Sequence, residues 1–318
     1  MEPDIESRLG LFRQRWWLDA VAGEGGWQEA IAEDGGHTVG VLRYAVTRRL
    51  GQTLITMPPL TQTLGPWLAP LAGKSTQALA REKDIIGRLL DQLPAHAYFA
   101  QNLGPESTNW LPWHWRGYSQ STRCTYVLDT SVGADALWDG FLPKVRSDVR
   151  KAAARFGLEV RDDLGLDAFL AVQRLTFQRQ GLKVPVSDAL VQRLDAACAA
   201  RDRRRIFFAV DAEGRVHAAA YLVWDDARAY YLMGGGDPEL RNSGATSLVL
   251  WEAIRFAAGR VPVFDFEGSM MEPVERFVRG FGAVQVPYHR VWRVPGRAVA
   301  LAMAARDAAR ALSPRGSR

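Results

Sequence analysis

Apolar residues recur every two positions in some stretches of the chain and every three to four in others, and these periods divide it into strands and helices. Leu11–Ala22 reads as a short amphipathic helix. Trp27–Ala32 and Thr38–Thr47 read as strands around Glu33-Asp34-Gly35-Gly36, a strong hairpin turn. A proline-rich stretch follows, then a helix over Thr76–Leu93, a strand over Ala97–Gln101, an aromatic segment Trp110–Tyr118 and a strand over Thr122–Leu128. A basic helical stretch, Leu137–Phe156, stops at Gly157, and Leu166–Gln180 is a second helix. Ser187 is placed to cap a third. Ile206–Val210 and Val216–Trp224 form another hairpin around Asp211-Ala212-Glu213-Gly214.

The next stretch is the most patterned. Tyr230–Met233 is a buried strand ended by three glycines, and Ala245–Ala258 is an almost wholly apolar helix closed by Gly259 in a left-handed conformation. Val263–Glu267 is a strand in which Val263, Asp265 and Glu267 share a face. Two carboxylates on a buried face are costly unless paired or used. A helix at Pro273–Arg279, a strand at Gln285–Val294 and an Ala/Arg-rich surface helix at Arg297–Leu312 complete the chain.

The two halves rhyme. AIAEDGGHTVGVLRY (30–44) resembles AVDAEGRVHAAAYLV (209–223). Each is followed by strand, loop, helix and strand, then by Arg-Gly-aromatic, at Arg116-Gly117-Tyr118 and Arg279-Gly280-Phe281. The order implies a duplicated α/β domain in which only the second copy keeps the glycine loop and the carboxylate pair.

Length and composition fit this picture. At 318 residues, with 47% hydrophobic and 24% charged residues, the chain can hold two globular domains. The net charge of +5 invites a nucleic-acid or anionic-lipid partner, but five lysines against thirty-five arginines point partly to base composition, so local clustering carries more weight. Cys124 and Cys198 suit a reducing compartment, and neither a signal peptide nor a spanning helix is evident, which predicts a cytoplasmic protein. The five histidines show no metal-ligand spacing, and no metal is expected.

Several motifs resemble a known family. Tyr231-Leu232-Met233-Gly234-Gly235-Gly236, Arg241-Asn242-Ser243-Gly244-Ala245-Thr246, Phe264-Asp265-Phe266-Glu267-Gly268-Ser269 and Arg276–Phe281 are similar to GNAT acyltransferases. With Arg146–Ala152 and Thr176–Gly181, the whole chain resembles the Fem-type peptidyltransferases, which carry two tandem GNAT domains. The resemblance implies an α/β fold of two tandem GNAT-like domains, each a central mixed sheet flanked by helices. The expected division is 1–130, 131–296 carrying the site, and a tail at 297–318. It also implies acyl or aminoacyl transfer to an amine acceptor, such as a cell-envelope precursor. The donor, acyl-CoA or aminoacyl-tRNA, stays open, because Thr246 stands where the acyl-CoA loop has a small residue.

Under that resemblance Met233, Gly234, Gly235 and Gly236 contribute backbone donors, and Arg241, Asn242, Ser243, Gly244, Ala245 and Thr246 hold the donor at a helix N-terminus. Glu267 is the candidate base, with Asp265 beside it; the competing reading makes each a structural acid paired with an arginine. Arg146, Arg150, Lys151, Arg179 and Tyr288 are candidate contacts to an anionic substrate, against a simple solvated face for the basic helix. Trp110, Trp113 and Trp115 suit packing better than base stacking. A reading from another class is a non-catalytic module that binds RNA or a nucleotide sugar in a degenerate GNAT fold.

Overall fold

The strands and helices form largely where the periodicity places them. The computed structural model describes residues 5–301, apart from residues 72, 180, 182, 183, 269 and 298 and the side chain of Arg179. These residues form two compact units, one running to Arg123 and resuming at Tyr288, the other spanning Cys124–Pro287.

The first unit begins with α1 (Ile5–Arg8), a 3₁₀ turn at Leu11–Arg13 and α2 (Arg15–Ala22), so the helix expected over Leu11–Ala22 is interrupted at Gln14. β1 (Trp27–Asp34) and β2 (His37–Arg49) pair antiparallel through Gly35-Gly36, both at positive φ, as a two-residue hairpin turn requires. β3 (Gln52–Thr56) and β4 (Trp67–Leu68) both pair with β2 inside the stretch read as a proline-rich loop. α3 (Ser75–Asp91) covers the sheet with Ile85, Ile86 and Leu89. β5 (Tyr98–Asn102) runs parallel to β3, and α4 (Leu111–His114) sets Trp113 into the core against Phe99 and Tyr118.

The second unit takes most of β6 (Ser119–Asp129), then α5 (Ala134–Gly140) and α6 (Pro143–Ala154). The expected single basic helix is therefore two. Pro143 supplies no N–H and stands at the start of α6, while Leu142 donates its own to Gly280 O at 2.9 Å. β7 (Glu159–Arg161), α7 (Gly165–Arg179) and α8 (Asp188–Ala199) follow, with Ser187 Oγ capping α8 by accepting from Leu190 N at 3.3 Å. Next come β8 (Arg204–Val210), β9 (Val216–Trp224), β10 (Arg228–Gly236), α9 (Ala245–Ala258), β11 (Val263–Asp265) and α10 (Glu272–Arg279). α9 packs Leu248, Leu250, Ala253 and Ile254 into a core shared with Ala218, Ala220 and Leu222 of β9.

The last strand, β12 (Val284–Arg293), lies antiparallel to β5 through Arg290–Arg293. The first unit's strands thus run β1-β2-β3-β5-β12, and the second's run β7-β8-β9-β10-β11-β6. Apart from the extra β7, the order is the same, with a hairpin followed by a parallel pair (β3 with β5, β10 with β11). The strand that follows the first copy in sequence closes the second copy's sheet, and β12 closes the first.

Three local expectations change. β10 runs through the glycines instead of ending at them, because β9 pairs with it as far as Gly236. Gly259 closes α9 at φ −85°, a right-handed conformation. β11 stops at Asp265, so Glu267 lies beyond the strand. Most of the expected C-terminal helix and tail falls outside the described residues.

Candidate active site

β10 and β11 pair only over Arg228–Tyr230 and Val263–Asp265. Beyond that point β10 continues along β9 to Gly236, with an irregularity between Tyr231 and Met233. The other chain turns away: Phe266 N donates to Tyr126 O of β6 at 3.0 Å, and a Cβ on Gly268 would fall 2.3 Å from Cys124 O. Met233–Gly236 is therefore a strand with an edge open to β11's side. Against it lies a cleft of about 260 Å³ lined by Tyr231, Gly234, Gly235, Gly236, Arg241 and Thr246, together with Thr176 and His217.

The glycines serve close approach. A Cβ at Gly234 would fall 1.8 Å from the Tyr231 hydroxyl oxygen, and one at Gly235 would fall 2.8 Å from the backbone nitrogen of Gln173 in α7. The amide of Gly236 is already engaged: it donates to Thr176 Oγ1 at 2.9 Å, and that hydroxyl donates to Gly236 O at 3.1 Å. Gly236 is thus not a free donor. Gly234, two residues back, turns its N–H to the same edge of the strand. Burial raises the Tyr231 phenol to about 12, so it is a neutral O–H at working pH.

The loop expected to hold the donor, Arg241–Thr246, leads directly into α9. Arg241–Ser243 makes a 3₁₀ turn, and Gly244 (φ 85°) starts α9 without a side chain of its own to cap it, while Ser243 Oγ accepts from Ala245 N at 3.4 Å. A Cβ there would fall 2.2 Å from Asp148 O, so both conformation and packing against α6 demand glycine. Ala245 and Thr246 line the cleft, which brings the positive end of α9 to it. Arg241 is exposed and makes no ion pair among the described residues. Asn242 and Thr246 are exposed, whereas Ser243 and Met233 are buried.

The two acids have different surroundings. Asp265 is completely buried; it accepts from Arg228 Nη1 at 2.7 Å, from the amide of Glu267 at 2.8 Å and from Thr125 Oγ1. Its oxygens are committed to structure, which is the arginine-paired reading of that residue. Glu267 sits at φ 57°, unusual for a residue with a side chain, and its Oε1 is buried with no partner among the described residues. Burial, with the Asp265 charge added, raises its carboxyl well above the usual range. Tyr230 and Asp265 are the last paired residues, and Glu267 follows two residues beyond that point. Neither acid lines the cleft itself.

The basic residues of α6 separate onto two flanks of the helix, as positions 146 and 150 lie on the opposite side of its buried stripe from 144, 148 and 151. Arg146 donates to Asp139 O at 2.8 Å, and the Arg150 guanidinium stands 5.5 Å from the Trp138 ring. Lys151 and Lys144 pair with Asp148, whose backbone touches Gly244, so Lys151 is on the loop side. Arg179 ends α7, and its side chain is outside the described residues. Tyr288 is buried and belongs to the other unit. Among the described residues no group of three or more His, Cys, Asp or Glu has a metal-holding arrangement, and no helix is long and apolar enough to cross a membrane.

Sequence reasoning passed over His217 and Tyr231. His217 lines the cleft, its Nε2 lies 3.0 Å from Asp211 Oδ2, and its Nδ1 is buried without a partner. Burial alone would raise the Asp211 carboxyl, but hydrogen bonds from His217 and Arg215 outweigh it and hold it well below the usual range. A carboxylate can only accept, so Nε2 carries a proton in this contact. The signal available was the Asp211–His217 spacing across a hairpin, which has no meaning until the register is known.

Residues 142–272 match the model of the acetyltransferase (GNAT) domain. No curated protein sequence matches the chain. Among solved structures, it is similar to FemX at TM-score 0.68 and 14% identity, over 94% of this chain and 97% of that one. It is similar at 0.58 and 13% to the C-terminal domain of a protein from Agrobacterium fabrum named as a lysylphosphatidylglycerol synthetase, over 96% and 94%. It is similar at 0.50 and 14% to a tandem GNAT protein from the clavulanic acid biosynthesis pathway, over 91% and 95%. At such identities the likeness is one of fold.

Proposed function

We propose that this chain, which matches the GNAT domain model over residues 142–272 and is similar in fold to FemX and to a tandem GNAT protein, transfers an acyl or aminoacyl group to an amine. The observation that carries this reading is one cleft lined by the open edge at Gly234–Gly236, the start of α9 and Arg241. An acyl donor lying along that edge presents its carbonyl to strand amides and its phosphates to the helix end and Arg241.

The acceptor must attack as a neutral amine, so a base has to take its proton as the tetrahedral intermediate forms. Glu267 is that base: burial, with the Asp265 charge added, raises its carboxyl and makes it a stronger proton acceptor than an ordinary one. Asp265 holds the Glu267 backbone and stays out of the proton transfer. The donor is aminoacyl-tRNA or acyl-CoA. Thr246 disfavours the close approach of a CoA pyrophosphate and tilts the choice toward aminoacyl-tRNA, and the acceptor is an amine-bearing cell-envelope precursor made in the cytoplasm.

The test is transfer of radiolabelled acyl groups, from a panel of acyl-CoAs and charged tRNAs, to amine acceptors by the purified full chain and by R241Q. Transfer lost in R241Q supports the reading. Saturable RNA or nucleotide-sugar binding, with no transfer from any donor, replaces it with the non-catalytic module.

A further inference from the structure

The first unit carries a second cleft, of about 450 Å³, between the end of α3, the turn before β6 and the end of β12. Its polar lining is Asp91, His96, Arg116, Tyr118 and Arg293. The sequence spreads these residues over two hundred positions, and the pairing of Arg293 with Phe99 brings the last of them to the others. Tyr118 is held edge-on to Phe99 and Trp113, with ring centroids 5.2 and 5.1 Å apart, so its position is fixed by packing.

The polar groups divide by role. Arg116 is neutralised, with Nε and Nη2 on the two Asp91 oxygens at 2.9 and 3.0 Å. Arg293 has no carboxylate partner among the described residues; its guanidinium stands 5.6 Å from the Tyr118 ring centroid. That leaves one cation facing the cleft without an anion. His96 lies beside it with the opposite need. Its Nδ1 is 2.8 Å from Pro94 O, and a carbonyl can only accept, so Nδ1 carries the proton. Nε2 is therefore a lone pair, and it is buried without a partner. Burial, opposed by the Pro94 contact and reinforced by the Arg293 charge, lowers the ring's pKa and keeps it neutral.

A guanidinium that meets the Tyr118 side chain but no carboxylate among the described residues, a neutral acceptor and an exposed carboxylate edge on Asp91 are mismatched to a phosphate dianion, which carries acceptors only. They match a molecule with a carboxylate and a nearby N–H donor. We propose that this cleft binds an amino acid or short peptide, its carboxylate on Arg293 and its amino or amide N–H on His96 Nε2. The volume suits one or two residues. This site is separate from the glycine-edge cleft of the second unit and does not rest on the acyl-transfer reading.

The test is calorimetric titration of the full chain with L-alanyl-L-alanine, acetate, methylamine and inorganic phosphate, repeated on R293Q, R293K and H96L. The dipeptide should saturate a single site, with acetate and methylamine each at least tenfold weaker. R293Q and H96L should each lose at least tenfold, and R293K should recover part of the loss. Melting curves establish that each variant is folded, and R293K keeps the charge if R293Q is not. No saturable dipeptide binding, or binding equal in R293Q and the parent, overturns the proposal. Phosphate binding as tightly as the dipeptide, and insensitive to H96L, makes the cleft a plain anion site and also overturns it.

Discussion

The amide of Glu267 donates to Asp265 Oδ1 at 2.8 Å, while a Glu267 carboxyl oxygen is buried with no partner among the described residues. One acid is spent on holding the other's backbone in a left-handed conformation. The second is left desolvated beside the point where β10 and β11 part. For Glu267→Gln we expect a turnover loss of about 10²–10⁴-fold with the fold intact. A destabilised variant with near-parental turnover removes Glu267 from the mechanism, and H217N assayed in parallel reports whether the cleft histidine is the base instead.

The same carboxyl predicts a pH dependence with a definite sign. Its folded-state pKa is raised above the ordinary value of 4.5, so the folded chain holds this proton more tightly than the unfolded chain. Its contribution to stability is fully present below 4.5, declines as pH rises toward the folded value, and is gone above it. E267Q should therefore flatten the fall in melting temperature within that window. The pH–rate profile of the parent should have its acidic limb above the usual carboxyl range, because only the ionised form takes a proton. A limb at an ordinary carboxyl value contradicts the assignment.

Arg228 should behave as a structural partner. It pairs with the completely buried Asp265 at 2.7 Å, and removing it leaves a carboxylate without its counter-charge. R228M should cost about 3–5 kcal/mol of stability, read from denaturant unfolding. Loss of turnover without loss of stability is the outcome that goes against this assignment.

Much of this architecture was legible in the sequence because it is local. The apolar run of α9, the capped start of α8 and both hairpins follow from periodicity and turn residues within a few positions. What was hidden depends on register or on distant partners. The pairing of β10 through its glycines is set by β9, and the early end of β11 by Phe266 turning to β6. The division of Asp265 from Glu267 required knowing where Arg228 and Thr125 stand. The small β3 and β4 were masked by prolines and glutamines around them.

The flanks of α6 predict a split among its cations. Lys151 and Asp148 lie toward Gly244, whereas Arg146 and Arg150 are engaged around α5. R241Q and K151Q should weaken donor binding and flatten its salt dependence, since exposed charges act through screened attraction. R146A/R150A should leave donor binding within about twofold and show its effect in stability instead. Equal salt slopes for the two sets of variants contradict the split.

Gly234 and Tyr231 make the most specific prediction. The ring of Tyr231 folds over Gly234, and its hydroxyl occupies the space a Cβ would take, at 1.8 Å. Gly234→Ala must therefore drive the phenol out of the cleft wall, an overpacking that costs about 1–3 kcal/mol and moves the groups around the donor. Gly235→Ala meets backbone of α7 instead, at 2.8 Å, and backbone cannot swing aside. G235A should thus be the more destabilised variant. Only G234A has a side chain as its obstacle, so only G234A can be relieved from outside. In G234A/Y231F the oxygen is gone and the nearest ring carbon stands 2.8 Å from the new methyl, a clash that a small ring shift absorbs. Melting temperature should recover in the double variant relative to G234A, with no such recovery when Y231F is combined with G235A. Turnover separates packing from chemistry. If the neutral phenol only fills space, Y231F alone keeps its rate; if it donates to the reacting group, Y231F loses rate at unchanged melting temperature. A double variant no more stable than G234A contradicts the pairing of these two residues.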